Sequence, residues 1–318
     1  MVQIFVNANY DFVGKRRWFY IASLAAVALS LLSIALHRGL NYGIDFTGGS
    51  LIQVRYDRPV TVADVRKGLD ELRLGSAVIQ QFGDAQEYLI RLSGSEQRTE
   101  EISGRIVDAL SRGAGTKVEI RRMEFVGPQV GRDLQFQALY AVLAGMAGIL
   151  IYVAIRFDFR GGVISIAALA HDVIVTLGAI SITNREMSLP LLAALLTIVG
   201  YSINDTIVVF DRIRESRGRG LRKGQTLADL VNGAINQTLS RTVLTSFTVF
   251  LTASVLYLFG GEVLHDFAFA LVIGVLTGTY SSVAAATLVM DWELWSRKRT
   301  PARARLAVKG EEVAAKKS

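Results

Sequence analysis

The sequence contains no cysteine among its 318 residues. Disulfide bonds, thiolate metal sites and a cysteine nucleophile are therefore excluded. Charged residues are also scarce at 20%, whereas 51% of the residues are hydrophobic and the mean hydropathy is +0.36. Soluble chains of this length are less apolar, so the composition indicates a membrane protein.

Motifs of enzymatic chemistry are missing as well. No Gly-rich phosphate loop of the GxxxxGK type occurs, so we expect no nucleotide hydrolysis by the chain itself. An intramembrane hydrolase built from Ser202, His171 and Asp172 is a formal alternative, but "GYSIN" at 200–204 lacks the Gly-x-Ser-x-Gly elbow. An aspartyl mechanism would have to use Asp172 and Asp205 without any supporting motif. We therefore expect no enzyme, no metal site and no cofactor.

Six segments are long and apolar enough to cross the ~30 Å hydrocarbon core, which takes about 20 residues in a helix. They are 18–36, 134–155, 162–182, 189–210, 243–259 and 267–292. The first follows a run of basic residues at 15–17 and so imitates a signal peptide. Its apolar stretch exceeds the ~7–15 residues of a cleaved signal, so we interpret it as a retained span, with a cleavable signal as the alternative.

Positive charge is concentrated on one side of these spans. With the N-terminus inside, the inner segments are 1–17, 156–161, 211–242 and 293–318, and they hold 20 of the 35 Lys and Arg residues. The short outer loops, 183–188 and 260–266, hold only Arg185. This asymmetry predicts that both termini are cytoplasmic. It also explains the basic run "RESRGRGLRK" better than nucleic-acid binding does, so we expect membrane lipids and no nucleic acid as partners.

Segment 37–133 is charge-balanced and large enough for one small domain. Its patterns predict four strands, at 51–56, 77–82, 87–93 and 116–125, with a turn at Gly83-Asp84 between the second and the third. They also predict two helices, one at 61–73 with Thr61 as N-cap and one at 95–113 ended by Gly113. The order β-α-β-β-α-β is typical of a ferredoxin-like unit. The predicted fold class is a polytopic α-helical membrane protein with six transmembrane helices and one periplasmic ferredoxin-like α+β domain between helices 1 and 2.

Two further segments have distinct patterns. Between spans four and five, apolar residues recur at helical spacing on a polar background, which predicts an amphipathic helix near 226–240 on the inner membrane surface. The basic tail 293–318 is poor in apolar residues and is predicted to be disordered. The small-xxx-small pair Gly274 and Gly278 in span six, and Gly145 and Gly148 in span two, predict close helix packing.

Ionisable residues within the spans cost about 2.5–3.5 kcal/mol each near the membrane centre, so they tend to mark pathways or partners. Asp205, with Asn204 beside it, lies in span four, and Arg241 begins span five. Two interpretations of Asp205 stay open: a group that binds and releases a proton, assisted by Arg241, or a fixed hydrogen-bond or ion-pair partner. The neighbours His171 and Asp172 in span three should point in different directions, which favours a structural role over a dyad.

Asp211 lies at the inner end of span four, next to Arg212 and Arg214. We expect it to be an interfacial salt-bridging residue rather than part of a pathway.

Four motifs together resemble one family. They are "YGIDFTGG" at 42–49, "VGPQVGRDL" at 126–134, "GYSINDTIVVFDRIRE" at 200–215 and "QTLSRTVLTS" at 237–246. In this order and on this topology they are similar to the SecF family, the small membrane subunits of bacterial SecDF protein-export complexes in the resistance-nodulation-division superfamily. The resemblance covers about residues 15–297.

The resemblance implies a multi-pass protein of the cell inner membrane that uses the proton-motive force to assist protein translocation. It implies SecD in trans, the SecYEG translocon and a translocating preprotein as partners, with YajC and YidC as further ones. It implies a proton path through Asp205 and Arg241, and it puts Asp45, Gly48 and Gly49 at the base of the periplasmic domain. Our candidates for the proton path are Asp205, Arg241 and Asn204, with Asp172, His171 and Asp211 as secondary candidates. The alternatives are a stand-alone proton-coupled small-molecule exporter of the same superfamily and a purely structural scaffold.

Overall fold

The computed structural model describes residue 5 and residues 8–74, 77–82, 84–92, 99–156, 159–221 and 223–315, without the side chains of 99–103, 262–263 and 295–315. In these residues the helices are α1 (Arg16–Leu36), α2 (Ile44–Thr47), α3 (Val62–Glu71), α4 (Thr99–Ala114), α5 (Pro128–Arg156), α6 (Phe159–Ile182), α7 (Leu189–Gly218), α8 (Leu227–Phe259) and α9 (Glu262–Ala315). The strands are β1 (Asn41–Tyr42), β2 (Gly49–Tyr56), β3 (Val78–Gln81), β4 (Glu87–Leu92), β5 (Val118–Val126) and β6 (Glu186–Met187).

The chain divides into two compact units. The helical unit comprises Met1–Gly39, Ala144–Thr183 and Ala193–Ser318, and the α/β unit comprises Leu40–Leu143 and Asn184–Leu192. Six helices of the described residues are long and apolar enough to cross a membrane: α1 and α5 to α9. The prediction of six helices able to span a membrane is therefore confirmed, and several of them extend beyond the apolar segments at one end or at both.

Small residues let the helices of the helical unit approach closely. A Cβ atom added to Gly178 of α6 would lie 2.2 Å from the Cβ of Ser30 in α1. A Cβ added to Gly278 of α9 would lie 3.1 Å from the Cβ of Ser202 in α7, and one added to Gly274 would overlap Ile198. The predicted packing role of the glycines in span six is confirmed. By contrast, none of the described residues lies within 4 Å of a Cβ built at Gly145 or Gly148.

The amphipathic segment 226–240 is not a separate helix on a membrane surface. It is the first part of α8, a single helix of 33 residues that begins with a capping box between Thr226 and Asp229. Its apolar residues, among them Leu230, Val231 and Ile235, are buried against other parts of the helical unit. An amphipathic pattern shows that one face is covered but not whether lipid or protein covers it.

The N-terminal strap, residues 8–14, is fixed to the start of α8. Asn236 accepts from the Tyr10 amide (2.8 Å) and donates to the Tyr10 carbonyl (2.9 Å). Asn232, one turn earlier, accepts from the Phe12 amide (2.9 Å) and donates to the same Tyr10 carbonyl (3.0 Å). Two asparagine side chains one turn apart on α8 thus bind the backbone amides and the carbonyl group of the strap.

The disorder of the tail at 293–318 stays a prediction. The backbone of residues 293–315 follows the path of α9, which extends to Ala315. Alanine, leucine, arginine, lysine and glutamate favour a helical path in this segment, whereas Pro301 disfavours one.

The α/β unit is built on a four-stranded antiparallel sheet with the strand order β3-β4-β2-β5. Its strands and helices follow the predicted β-α-β-β-α-β order. The predicted N-cap Thr61 is confirmed: its hydroxyl and amide donate to Asp64 and hold the pKa of that carboxyl below its usual range. The predicted helix start at 95–98 and Gly83 of the predicted turn lie outside the described residues. The second helix ends one residue beyond Gly113, and Gly115 follows it with φ +61°.

Gly113 has a packing role instead. A Cβ atom added to it would lie 2.5 Å from the Gly68 backbone nitrogen of α3. We expect Gly113→Ala to push α3 and α4 apart and to lower the free energy of unfolding by about 1–3 kcal/mol. Gly104→Ala on the same helix is the matched control, because its Cβ meets nothing within 4 Å; it should stabilise by about 0.5–1 kcal/mol. Hydrogen exchange of the sheet amides in the full chain measures both, and equal protection in the two variants would contradict this account.

Candidate functional site

Asp205 lies inside the helical unit and is 2% exposed. Its Oδ2 accepts a hydrogen bond from the Ser246 hydroxyl of α8 at 3.1 Å. Ser246 in turn accepts from Thr279 of α9 (2.7 Å) and from Tyr201 of α7 (3.2 Å). Hydroxyl groups from α7 and α9 therefore converge on Ser246 of α8, which donates to the Asp205 carboxyl group.

Asp172 of α6 is fully buried and forms a second network. Its Oδ2 accepts hydrogen bonds from Ser202 of α7 (2.5 Å) and from Ser281 of α9 (2.8 Å). Its Oδ1 lies 2.9 Å from Nδ1 of His171. The expectation that these neighbours point apart was wrong, because their side chains rotate towards each other. The His171 ring also lies 6.3 Å from the Tyr280 ring, between centroids.

The two networks share helices α7 and α9. Ser202 and Asp205 lie one turn apart on α7, and Thr279 and Ser281 lie two positions apart on α9. The short side chains on α9 and the absence of a side chain at Gly278 bring its hydroxyls within reach of both carboxyl groups. Each carboxyl group thereby obtains the partners that burial in an apolar bundle requires.

Asn204 and Arg241 do not take part in these contacts. Asn204 is exposed, because adjacent residues on a helix point about 100° apart and Asp205 occupies the inward position. Arg241 is exposed at the start of the apolar part of α8, and its carbonyl accepts from the Thr245 hydroxyl at 2.9 Å. Among the described residues no ion pair joins Arg241 to Asp205 in this conformation.

Asp211 forms an exposed ion pair, as expected, but with a more distant partner than its sequence neighbours. Its Oδ1 lies 2.7 Å from Nη2 of Arg156 at the end of α5. Arg214 donates to the Arg156 carbonyl at 2.8 Å. These contacts join the ends of α5 and α7, and they lie apart from the two buried networks.

The segment "GIDFTGG" at 43–49 fixes the starts of two long helices within the α/β unit. Asp45 accepts a hydrogen bond from the Leu189 amide at 2.8 Å and so caps the N-terminus of α7. Gly48 has φ +70°, and a Cβ there would lie 2.7 Å from the Pro128 Cα at the start of α5. Gly49 begins β2. The motif therefore contacts the starts of α5 and α7 as well as leading into β2.

The hydrolase alternative is not supported by the geometry. Ser202, Asp172 and His171 do come together, but the carboxyl group lies between the serine and the histidine. A serine nucleophile needs the histidine as its direct base, with the carboxylate behind it. Ser202 is also only 1% exposed.

Sequence reasoning missed three members of the networks: Thr279, Ser281 and Tyr201. The signal for the first two was present in "GTYSS" at 278–282, where small and hydroxylated residues interrupt an apolar span. Such a cluster predicts an inward-facing surface, but it does not name the carboxyl group that it meets.

The fold and the site define a class of protein: a six-helix membrane protein with an additional α/β unit and two buried carboxyl groups held by hydroxyls. Models of two families match the chain. The C-terminal model of the protein export membrane proteins SecD/SecF matches residues 106–295, and the SecD/SecF GG motif matches residues 34–60.

Full-length relatives and solved structures agree with these matches. Protein translocase subunit SecF of Calditerrivibrio nitroreducens is 46% identical over 283 residues, 88% of this chain and 93% of that protein. The subunit of Magnetococcus marinus is 46% identical over 308 residues, 95% of this chain and 98% of that protein. The crystal structure of SecDF from Thermus thermophilus, a translocon-associated membrane protein, matches with a TM-score of 0.81 and 41% identity over 90% of this chain.

The chain belongs to the SecF family. It covers only 39% of the Thermus SecDF chain, which is about two fifths of its length. A second SecDF structure, in a super-membrane-facing form, matches with a TM-score of 0.69 and 41% identity over 95% of this chain and 41% of that chain.

The cap on α7 can be tested at Asp45. Asp45→Ala removes the oxygen that accepts from the Leu189 amide, and we expect the first turn of α7 to lose about 0.5–2 kcal/mol of local stability. Asp45→Asn keeps an accepting oxygen and should change little. Hydrogen exchange at the first amides of α7 is the measurement, and equal exchange in the Ala and Asn variants would show that Asp45 is not the cap.

Proposed function

We propose that this chain is the SecF subunit of a protein-export complex in the bacterial inner membrane, where it uses the proton-motive force to assist translocation. In this proposal it pairs with SecD in trans and acts with the SecYEG translocon on a translocating preprotein, with YajC and YidC as further partners. The observation that carries the proposal is Asp205, a carboxyl group enclosed in the helical unit and bonded to a hydroxyl. The relatives named as translocase subunits SecF support the export role.

The partner of Asp205 favours proton binding over a fixed ion pair. Ser246 donates one hydrogen bond to Asp205 and carries no charge, so it stabilises the ionised carboxyl group less than a cation would, and it can still donate to the carbonyl oxygen of the protonated form. A cation in its place would suit only the ionised form. Within the described residues, the candidate cation is Arg241. It is exposed and lies about one and a half turns before Ser246 on α8. A proton that crosses a potential of ~100 mV delivers about 2.3 kcal/mol, enough to bias a conformational equilibrium.

The α/β unit is proposed to be a periplasmic ferredoxin-like domain. Its β-α-β-β-α-β order, with the later strand of each half flanking a central pair, supports the fold. The excess of positive charge on the segments that contain both termini supports the placement, because such segments stay on the cytoplasmic side.

A stand-alone exporter is the weaker hypothesis. The chain covers nearly the whole length of the SecF relatives but about two fifths of each SecDF structure. An exporter of this superfamily would need a second set of spans, either from a duplicated chain or from a second copy.

Asp205→Asn tests the proton role. We expect the complex to assemble normally while proton flux in vesicles and proton-dependent export fall at least about tenfold, because an amide cannot carry a proton between two states. Asp211→Asn is the matched control on the same helix: its exposed ion pair contributes about 0–1 kcal/mol, so flux should be nearly unchanged. Undiminished flux and export in Asp205→Asn would refute the proton role.

Isolation of the native complex tests the partner. We expect a SecD-like chain to copurify with this one in equal amounts from mildly solubilised membranes. A homodimer that transports small molecules by itself would instead support the exporter.

A further inference from the structure

Asp172 joins three helices through one carboxyl group. It lies on α6, and its Oδ2 accepts from Ser202 on α7 and from Ser281 on α9. The side chain is enclosed completely, and its only other hydrogen-bond partner among the described residues is the neighbouring His171. A buried acceptor of this kind is strongly coupled to its donors, because a donor that moves away leaves it unsatisfied.

The donors of Asp172 are tied to Asp205 by the helices that carry them. Ser202 lies one turn before Asp205 on α7. Ser281 lies two positions after Thr279, which donates to Ser246, the partner of Asp205. A shift of α7 along α9 would therefore change both networks at once.

We infer that Asp172 is a positioning residue: by accepting from Ser202 and Ser281 it holds α6, α7 and α9 in the register in which Ser246 reaches Asp205. This inference rests on the proposed proton role of Asp205. In this inference Asp172 does not carry a proton, whereas the competing hypothesis makes it a second proton carrier beside Asp205.

The surroundings of Asp172 fit this role. The titratable groups that face the pair are His171 on its own helix and Tyr280 on α9, whose ring lies beside His171. On α7, Tyr201 directly precedes the donor Ser202 and Asp205 follows it by three residues. On α1, Tyr20 donates to Asp291 and Thr287 of α9 instead. What Asp172 receives from α7 and α9 is thus two hydroxyl hydrogen bonds, which an amide oxygen can accept as well.

Because an amide oxygen can accept both hydrogen bonds but the amide cannot carry a proton, substitutions distinguish a positioning residue from a proton carrier. In Asp172→Asn, the amide oxygen can accept from both serines, and the amide nitrogen can donate to Nδ1 of His171 in its other tautomer. In Asp172→Leu, a side chain of similar size offers no acceptor, so the serines lose their common partner. A proton carrier would be lost in both variants.

The first measurement is proton flux in vesicles that contain the complete complex, with the same Asn and Leu substitutions at positions 172 and 205. We expect Asp172→Asn to stay within about threefold of wild type with an unchanged pH profile, and Asp172→Leu to fall at least about tenfold. Both variants at position 205 should fall at least about tenfold. Flux lost as fully in Asp172→Asn as in Asp205→Asn, or retained in Asp172→Leu, would overturn the inference.

The second measurement reports register directly and does not depend on flux. The chain has no cysteine, so Ile198→Cys with Gly274→Cys introduces a single pair across α7 and α9, where a Cβ at Gly274 would contact the Ile198 side chain. We expect this pair to oxidise readily with native Asp172 or with Asp172→Asn, and at least about fivefold more slowly with Asp172→Leu. The control pair, Ser33→Cys with Ser181→Cys across α1 and α6, replaces a 2.9 Å hydrogen bond and should oxidise equally in all three backgrounds.

Two outcomes remain to be separated. If Asp172→Leu fails to fold, the double variant Ser202→Ala with Ser281→Ala removes the donors and keeps Asp172; the same slow cross-linking is then expected, and normal cross-linking would overturn the inference. If Asp205→Asn leaves flux unchanged, the proposed function fails, whereas the cross-linking result still decides whether Asp172 sets the register.

Discussion

The interior of this protein depends on one constraint: a carboxyl group in an apolar bundle must find hydrogen-bond donors inside the protein. Asp205 and Asp172 meet it with hydroxyls from other helices rather than with cations. Serine and threonine reach only a short distance, so the helices that carry them must lie close together. The glycine at position 278 is one consequence, because any side chain there would press against Ser202. The packing of α7 on α9 follows from the chemistry of the carboxyl groups.

Charged side chains at the helix ends form exposed ion pairs instead. Arg16 pairs with Asp291, and Arg156 with Asp211, in ion pairs whose side chains remain about a third or more exposed. Exposed pairs of this kind contribute little free energy and tolerate rearrangement. The helical unit thus has hydroxyl-to-carboxyl hydrogen bonds in its interior and these two exposed ion pairs at its helix ends.

Much of this architecture could be predicted from the sequence, because apolar length and strand alternation follow directly from the membrane and from the sheet. The six spans and the order of the α/β unit are examples. The networks could not be predicted, since hydroxyl residues in a span have no preferred partner until the helices pack. Asn204 and the segment 226–240 show the same difficulty: the sequence indicates that a side chain is polar or a face is apolar, but not which neighbour it meets.

The contacts of the N-terminal strap can form only after α8 has been synthesised. Its hydrogen bonds reach Asn232 and Asn236 across sequence separations of 220 and 226 residues. At synthesis rates of about 5–20 residues per second, the strap waits roughly 10–45 s for α8 to be made. The strap residues are therefore among the last to find their partners. Until then the beginning of α1 enters the membrane without the contacts that later hold it, and attachment of the strap marks the arrival of the penultimate helix.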